Sequence, residues 1–223
     1  MPIFKTLDSN FFENWSQEMA YALGYFAADG CMLKNHRGAC FIEFHSVDRD
    51  LLEGLKSLLK SSHKISTRKP KPNCQTLYRL QIGSKKLYND LCGLGFIPAK
   101  SKVLDFPLVP AKYTSDFIRG YFDGDGHVSI SKYKRKGRIG KLSKTILCGF
   151  TSGSEKFLIK LFQTLRQHAQ IKGGSLYHTN AYRLSFSVKD SKKLYEFLYA
   201  KVDTLFLKRK KEIFESYFNI MDR

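Results

Sequence analysis

The sequence predicts a mixed α/β fold of the α+β class, built from two related αββαββα halves, each a four-stranded sheet backed by helices. Three observations carry that prediction. Residues 22–30, ALGYFAADG, and 118–126, IRGYFDGDG, share Gly-Tyr-Phe followed by Asp-Gly at an offset of 96 residues. A second landmark, YRLQIGSKKLYNDL at 78–91, is echoed by YRLSFSVKDSKKLYEFL at 182–198, offset by 104. Two landmarks in the same order mark an internal repeat and pseudo-twofold symmetry. Between the copies, GFIPAKSKVLDFPLVPAKY carries prolines at 98, 107 and 110, which suits a stiff, extended connector. The chain divides accordingly into an N-terminal half over 1–97, a connector over 98–112 and a C-terminal half over 113–223.

The elements follow in order. Ser16 caps a helix with Glu18 in its first turn, ending at Gly30. Alternation predicts strands over about 32–37 and 40–46, where Phe41, Ile42 and Phe44 supply apolar weight. Leucines at 51, 52, 55, 58 and 59 make a helical stripe over 48–60. Strands at 62–69 and 76–82, split by the turn KPKPN, lead to a short helix over 84–94. The second half repeats this with a helix at 114–125, strands at 127–134 and 143–151, and a helix at 154–168. Strands at 172–178 and 181–188, a helix at 189–201 and a closing amphipathic helix at 205–220 complete the chain.

Composition restricts the function. With 38 Lys+Arg against 20 Asp+Glu, the net charge of +18 points to a polyanionic partner. The charge is uneven, at +5 over residues 1–108 and +13 over 109–223. No apolar run approaches the ~18 residues of a membrane span, and the N-terminus lacks the layout of a signal peptide. An intracellular protein of the cytoplasm, nucleoid or an organelle matrix is expected. The five cysteines are odd in number and contain no C-x-x-C pair, so they read as reduced thiols rather than a disulfide framework or zinc ribbon.

The opening helix of each half is the natural joint. At ~100° per residue, Ala20, Gly24, Ala27 and Ala28 share one face of the first helix, and Gly120 and Gly124 mark the same face of the second. Such small residues let backbones approach closer than the usual ~8–10 Å. Leu23, Phe26, Ile118 and Phe122 then point into their own halves. Helices packed side by side bring Asp29 and Asp125 together, and two converging carboxylates repel unless cations bridge them. A divalent metal site follows, with the carbonyls of Ala28 and Gly124 as further oxygen donors. An EF-hand loop fails on spacing: Val128 and Lys134 stand where its glycine and glutamate belong.

These residues resemble the two motif helices of a LAGLIDADG homing endonuclease in its single-chain form. The halves, the connector with LDFP and the terminal LKRKKEIFESYF are similar to that family too. The resemblance implies a saddle of two antiparallel sheets over duplex DNA and a Mg²⁺-dependent double-strand break across the minor groove, leaving short 3′ overhangs. Mn²⁺ is the alternative metal, and Ca²⁺ is expected to bind without supporting cleavage. The acid at the motif's eighth position, the family's metal ligand, matches Asp29 and Asp125. The sixth matches Ala27 and Asp123, so the first copy departs there. The family also implies a lysine near each scissile phosphate from the end of the last strand of each half. The repeated SKKLY offers Lys85 and Lys192, with Lys189 an alternative.

The expected DNA contacts lie on the hairpins. The first half offers Lys34, Asn35, His36 and Arg37, then Arg68, Lys69, Lys71, Asn73 and Gln75. The second offers Lys132, Lys134, Arg135, Lys136, Arg138 and Lys141 on a long ribbon suited to the major groove, then Tyr177, His178, Asn180 and Arg183. The expected product is a monomeric, intron-encoded endonuclease acting on a long double-stranded site, without a membrane role. A non-catalytic DNA-binding regulator and an intron RNA maturase are the alternatives on the same scaffold.

Overall fold

A computed structural model describes residues 5–68, 75–134 and 142–221. The first half runs α1 (Gln17–Asp29), β1 (Gly30–Lys34), β2 (Cys40–Ser46), α2 (Arg49–Leu58), β3 (Ile65–Arg68), β4 (Leu77–Gly83) and α3 (Lys85–Gly93). The second repeats it as α4 (Thr114–Asp125), β5 (Gly126–Lys134), β6 (Leu142–Ser152), α5 (Glu155–His168), β7 (Ser175–His178), β8 (Tyr182–Phe186) and α6 (Val188–Tyr199), closed by α7 (Lys208–Met221). Two antiparallel sheets result, ordered β1-β2-β4-β3 and β5-β6-β8-β7. The predicted α+β class and αββαββα order therefore hold. Ser16, Ser84, Ser154 and Ser187 cap α1, α3, α5 and α6, each accepting a backbone N–H from the first turn.

Helices α1 and α4 form the joint between the halves. A Cβ built on Gly24 would run into the carbonyl of Phe117 and lie 3.0 Å from the Tyr121 nitrogen. One on Gly120 would meet the Tyr21 carbonyl and lie 2.8 Å from the Tyr25 nitrogen. Each glycine thus admits the other helix's backbone, which explains a residue that otherwise weakens a helix interior by ~1 kcal/mol. Phe26 and Phe122 turn outward into matching cores, each meeting its own sheet edge-to-face at 5.4 Å through Phe44 and Phe150 respectively.

Several segments differ from expectation; among the strands, β1 runs Gly30–Lys34 rather than 32–37 and β7 starts at Ser175 rather than 172. The connector is not extended throughout: it turns through 3-10 segments at Lys100–Lys102 and Ala111–Tyr113. Strand β3 starts at Ile65 rather than 62, because Ser62 pairs with Thr6 through its backbone nitrogen and its hydroxyl. The closing helix begins at Lys208 rather than 205, since tertiary bonds claim the residues before it. Buried Arg119 donates to Thr204 Oγ1 at 2.5 Å and to the Leu205 carbonyl at 3.3 Å, and the Leu207 nitrogen donates to Asp123 Oδ2 at 2.7 Å.

Candidate metal centre and nucleic-acid face

Asp29 and Asp125 end α1 and α4, and the close helix pair brings them together as expected. A Cβ on Gly124 would lie 3.1 Å from Asp29 Oδ2. Both carboxylates are half-buried. Burial raises the pKa of Asp29, opposed by Lys210, Lys100 and His45. Burial and then the Asp29 charge push Asp125 up to about 6, opposed by Lys100, Lys210 and Tyr121. Each carboxylate makes ionisation of the other harder, which a bound cation would reverse.

The lysines whose charges act on this pair are Lys100 and Lys210. Lys85, Lys189 and Lys192 are exposed at the start of α3 and α6, and none figures among the charges acting on either carboxylate. Lys100 and Lys210 are each 5% exposed. Lys100 Nζ donates to the Gly30 carbonyl at 2.6 Å and sits 5.5 Å from the Phe26 ring centroid. Lys210 Nζ donates to the carbonyls of Phe122, Asp123, Gly124 and Gly126 at 2.6–3.2 Å and sits 5.3 Å from Phe122. Both ammonium groups cap the negative end of a motif helix, where backbone carbonyls lack intrahelical partners. Burial lowers both pKa values, that of Lys210 to about 8. Ala99 at φ +56 turns the chain so that Lys100 points inward; a non-glycine residue in this region carries backbone strain.

Asp123 has a different task. Only 3% exposed, it accepts from Tyr21 Oη at 2.7 Å on α1 and from the Leu207 nitrogen at 2.7 Å, so it ties the strap before α7 to the helix joint and sets Lys210 in place. Burial pushes its pKa up to about 6. The counterpart Ala27 has no such strap to hold.

The faces of the sheets turned away from the helices form the candidate nucleic-acid surface. Strand register decides which residues reach it. In the first sheet Cys31, Glu43 and Gln81 form one cross-strand row, and His45, Arg79 and Ser66 the next. The matching rows of the second are His127, Gly149, Ser185 and Ser175, then Thr151, Arg183 and Tyr177. Of the expected contacts, Arg68, Tyr177 and Arg183 lie on this face. Lys34, Lys132, Lys134 and His178 share the opposite parity, with core residues such as Val128 and Ile130, and lie exposed at the ends of their strands. Asn35 spends its side-chain oxygen on its own turn, accepting from the nitrogens of Arg37 and Ala39. His36, Arg37 and Asn180 are exposed at hairpin turns, and Gln75 is exposed beside the groove lined by Asp48 and Arg209. Lys69, Lys71, Asn73, Arg135, Lys136, Arg138 and Lys141 lie outside the described residues.

A family profile described as the LAGLIDADG-like domain matches residues 16–92 and again 112–196. The chain belongs to the LAGLIDADG family. It is 28% identical over 217 residues to the uncharacterized protein MJ0398 of Methanocaldococcus jannaschii, covering 93% of this chain and 74% of that protein. Its fold is similar to that of the LAGLIDADG meganuclease I-CpaMI bound to uncleaved DNA, with a TM-score of 0.64 and 11% identity over 94% of this chain and 92% of that one. It is also similar to the meganuclease I-SmaMI bound to uncleavable DNA, with a TM-score of 0.63 and 12% identity over 92% and 90%. The LAGLIDADG homing endonuclease I-LtrWI bound to target DNA gives a TM-score of 0.60 at 12% identity, covering 96% and 91%.

As LAGLIDADG motifs, the two copies differ mainly in what surrounds the shared acid. Beside Asp29 stand His45 and, beyond it, the groove of Asp48 and Arg209. Beside Asp125 stands His127, whose pKa is lowered by burial and then by Arg183 and Lys210. Sequence reading missed Lys100, Lys210, His45, Arg79 and Gln81. For the last three a signal existed: Ile42 and Phe44, or Leu80 and Ile82, fix the core parity and place their neighbours on the other face. No helix among the described residues is long and apolar enough to cross a membrane.

Proposed function

We propose that the protein is a site-specific endodeoxyribonuclease that cuts both strands of a long duplex site with the help of divalent cations. The convergence of Asp29 and Asp125 with Lys100 and Lys210 between two helix-free sheet faces carries this reading. The family membership and the DNA-bound neighbours support it, as does a charge of +18. A minor groove ~6 Å wide brings the two target phosphates near enough for one central cluster to serve both strands.

The donor set fits Mg²⁺ or Mn²⁺. Two half-buried carboxylates that resist ionisation in each other's presence are hard oxygen ligands whose protons a cation would displace. No group of three or more His, Cys, Asp or Glu converges among the described residues, so backbone carbonyls, water and phosphate oxygens would complete the sphere. The Ala28 carbonyl is one candidate. That of Gly124 already accepts from Lys210 at 3.2 Å, leaving one lone pair for a metal.

When bound, the cations would polarise the scissile phosphates, lower the pKa of the attacking water and stabilise the departing 3′ oxygen. The chain's own residues do the rest. Asp29 and Asp125 would hold the cations. Lys100 and Lys210 place one ammonium per half close to a phosphate as negative charge develops, pre-organised by the carbonyls they cap. The two sheets fix the register of the duplex. The chain acts as a monomer, its internal symmetry replacing a dimer, and an origin as a mobile intron reading frame fits such an activity.

Incubating the protein with Mg²⁺ and a library of randomised duplexes tests this. Double-strand breaks with short 3′ overhangs at one preferred sequence, lost in Asp29→Asn, are the expected result. Selective binding without cleavage would favour a regulator, and rescued splicing with tight intron-RNA binding a maturase.

A further inference from the structure

A carboxylate on the surface that should meet DNA is out of place in a basic protein, yet Glu43 sits there on β2, only 3% exposed. Register puts it directly opposite Gln81 on β4, with His45 and Arg79 in the next row. Both of its oxygens are engaged. Oε1 accepts from Gln81 Nε2 at 2.5 Å and from Arg79 Nη1 at 3.4 Å, and Oε2 contacts His45 Nε2 at 3.0 Å. The Arg79 guanidinium is held from a second side, its Nε donating to Ser66 Oγ at 3.4 Å. Buried in this way, Glu43 presents little negative charge to a phosphate. It fixes three side chains that reach outward from the same face.

What remains free on those side chains is suited to base edges. Gln81 keeps its amide oxygen and its second N–H, the acceptor–donor pair that matches adenine. Arg79 keeps Nη2 and one Nη1 hydrogen, a fork that matches guanine O6 and N7. The second sheet has no equivalent: Gly149 replaces Glu43, and a Cβ there would lie 2.9 Å from the ring of His127. Ser185 and Thr151 replace Gln81 and His45, so Arg183 stands without a carboxylate clamp in that row.

We infer that Glu43 is a positioning residue for base readout: it locks Arg79 and Gln81 into a pre-organised pair that discriminates the base pairs next to the cleavage centre in one half-site only. The location follows from the register, because Gly30, directly after Asp29, pairs with Phe44, the neighbour of Glu43. The inference rests on the DNA-binding reading above and extends it by an asymmetry between half-sites. Fixing donors before binding removes the cost of ordering them on the DNA, so the gain appears as specificity rather than as general affinity.

The test is selection from a randomised duplex library in Ca²⁺ buffer, scored position by position for the wild type, Glu43→Gln, Glu43→Ala, Arg79→Ala and Arg183→Ala. Arg79→Ala should flatten one base-pair preference by roughly ten- to hundredfold. Glu43→Ala should flatten the same position and its neighbour although it touches no base, with Glu43→Gln intermediate because one acceptor survives. Arg183→Ala should alter the opposite half-site alone. Thermal melts confirm that each variant is folded. A selective wild type whose preferences survive Glu43→Ala overturns this inference alone, as does a uniform rise in affinity for every sequence, which would make Glu43 merely a repelling charge. A wild type that selects no sequence overturns the site-specific reading and this inference with it.

Discussion

Replacing Asp125 with asparagine should stabilise the metal-free protein while abolishing its cleavage. Burial and the facing Asp29 carry the Asp125 pKa from 3.8 to about 6. For a group whose folded pKa is raised, the contribution to stability is full below the unfolded value and is lost as pH rises through the folded one. Between roughly pH 4 and 6 the wild type therefore loses stability that an uncharged asparagine keeps. At ~1.4 kcal/mol per pH unit, the difference approaches 2–3 kcal/mol at neutral pH. For a chain of this length that corresponds to a midpoint about 5–10 °C higher. Thermal melts in EDTA at pH 7.5 and 4.5 measure it: the gap should be fully open at the first and shrink to about a third at the second. Adding Ca²⁺ at about a hundred times its Kd should stabilise the wild type by ~2.7 kcal/mol and the variant far less. An asparagine variant less stable than the wild type at pH 7.5, or a gap that does not narrow on acidification, would refute the electrostatic reasoning.

The helix joint predicts that Gly24→Ala or Gly120→Ala, each placing a Cβ against a backbone carbonyl, costs about 3 kcal/mol or more, whereas Gly93→Ala, which meets nothing within 4 Å, is nearly neutral in urea titrations. Lys210→Met uncaps four carbonyls and should cost ~2 kcal/mol and reduce cleavage at least a hundredfold, with Lys100→Met acting more weakly on stability. Single-turnover cleavage by Lys85→Ala and Lys192→Ala should match the wild type, since both side chains are exposed away from the carboxylates. Arg209 grips Asp48 through three hydrogen bonds of 2.9–3.1 Å between α7 and the first half; a double-mutant cycle should assign this partly exposed pair ~0.5–1 kcal/mol.

The repeat, the order of elements, the helix joint and the Asp29–Asp125 pair were legible in the sequence because each rests on a local pattern. A serine before a helix, an alternation of two or a glycine every fourth residue is complete within a few turns of chain, and its recurrence in both halves doubles the signal. The net charge needed only counting. The lysines were a different matter. Lys100 reaches the Gly30 carbonyl across 70 residues, and Lys210 reaches α4 across 84–88, so no local pattern distinguishes either from the other lysines. Lys85 and Lys192 carried the stronger sequence pattern, a repeated SKKLY, but its serine caps α3 as Ser84 and lies inside α6 as Ser191, so the pattern records where these helices run. Strand parity lay between these cases: Ile42 and Leu80 already fix it, yet only pairing shows that Glu43, His45, Arg79 and Gln81 meet on one face. Sequence by itself determined which elements form and which acids sit at the ends of the motif helices. Tertiary structure decided which cations face those acids and which side chains face outward, because those relations depend on how separately folded segments pack.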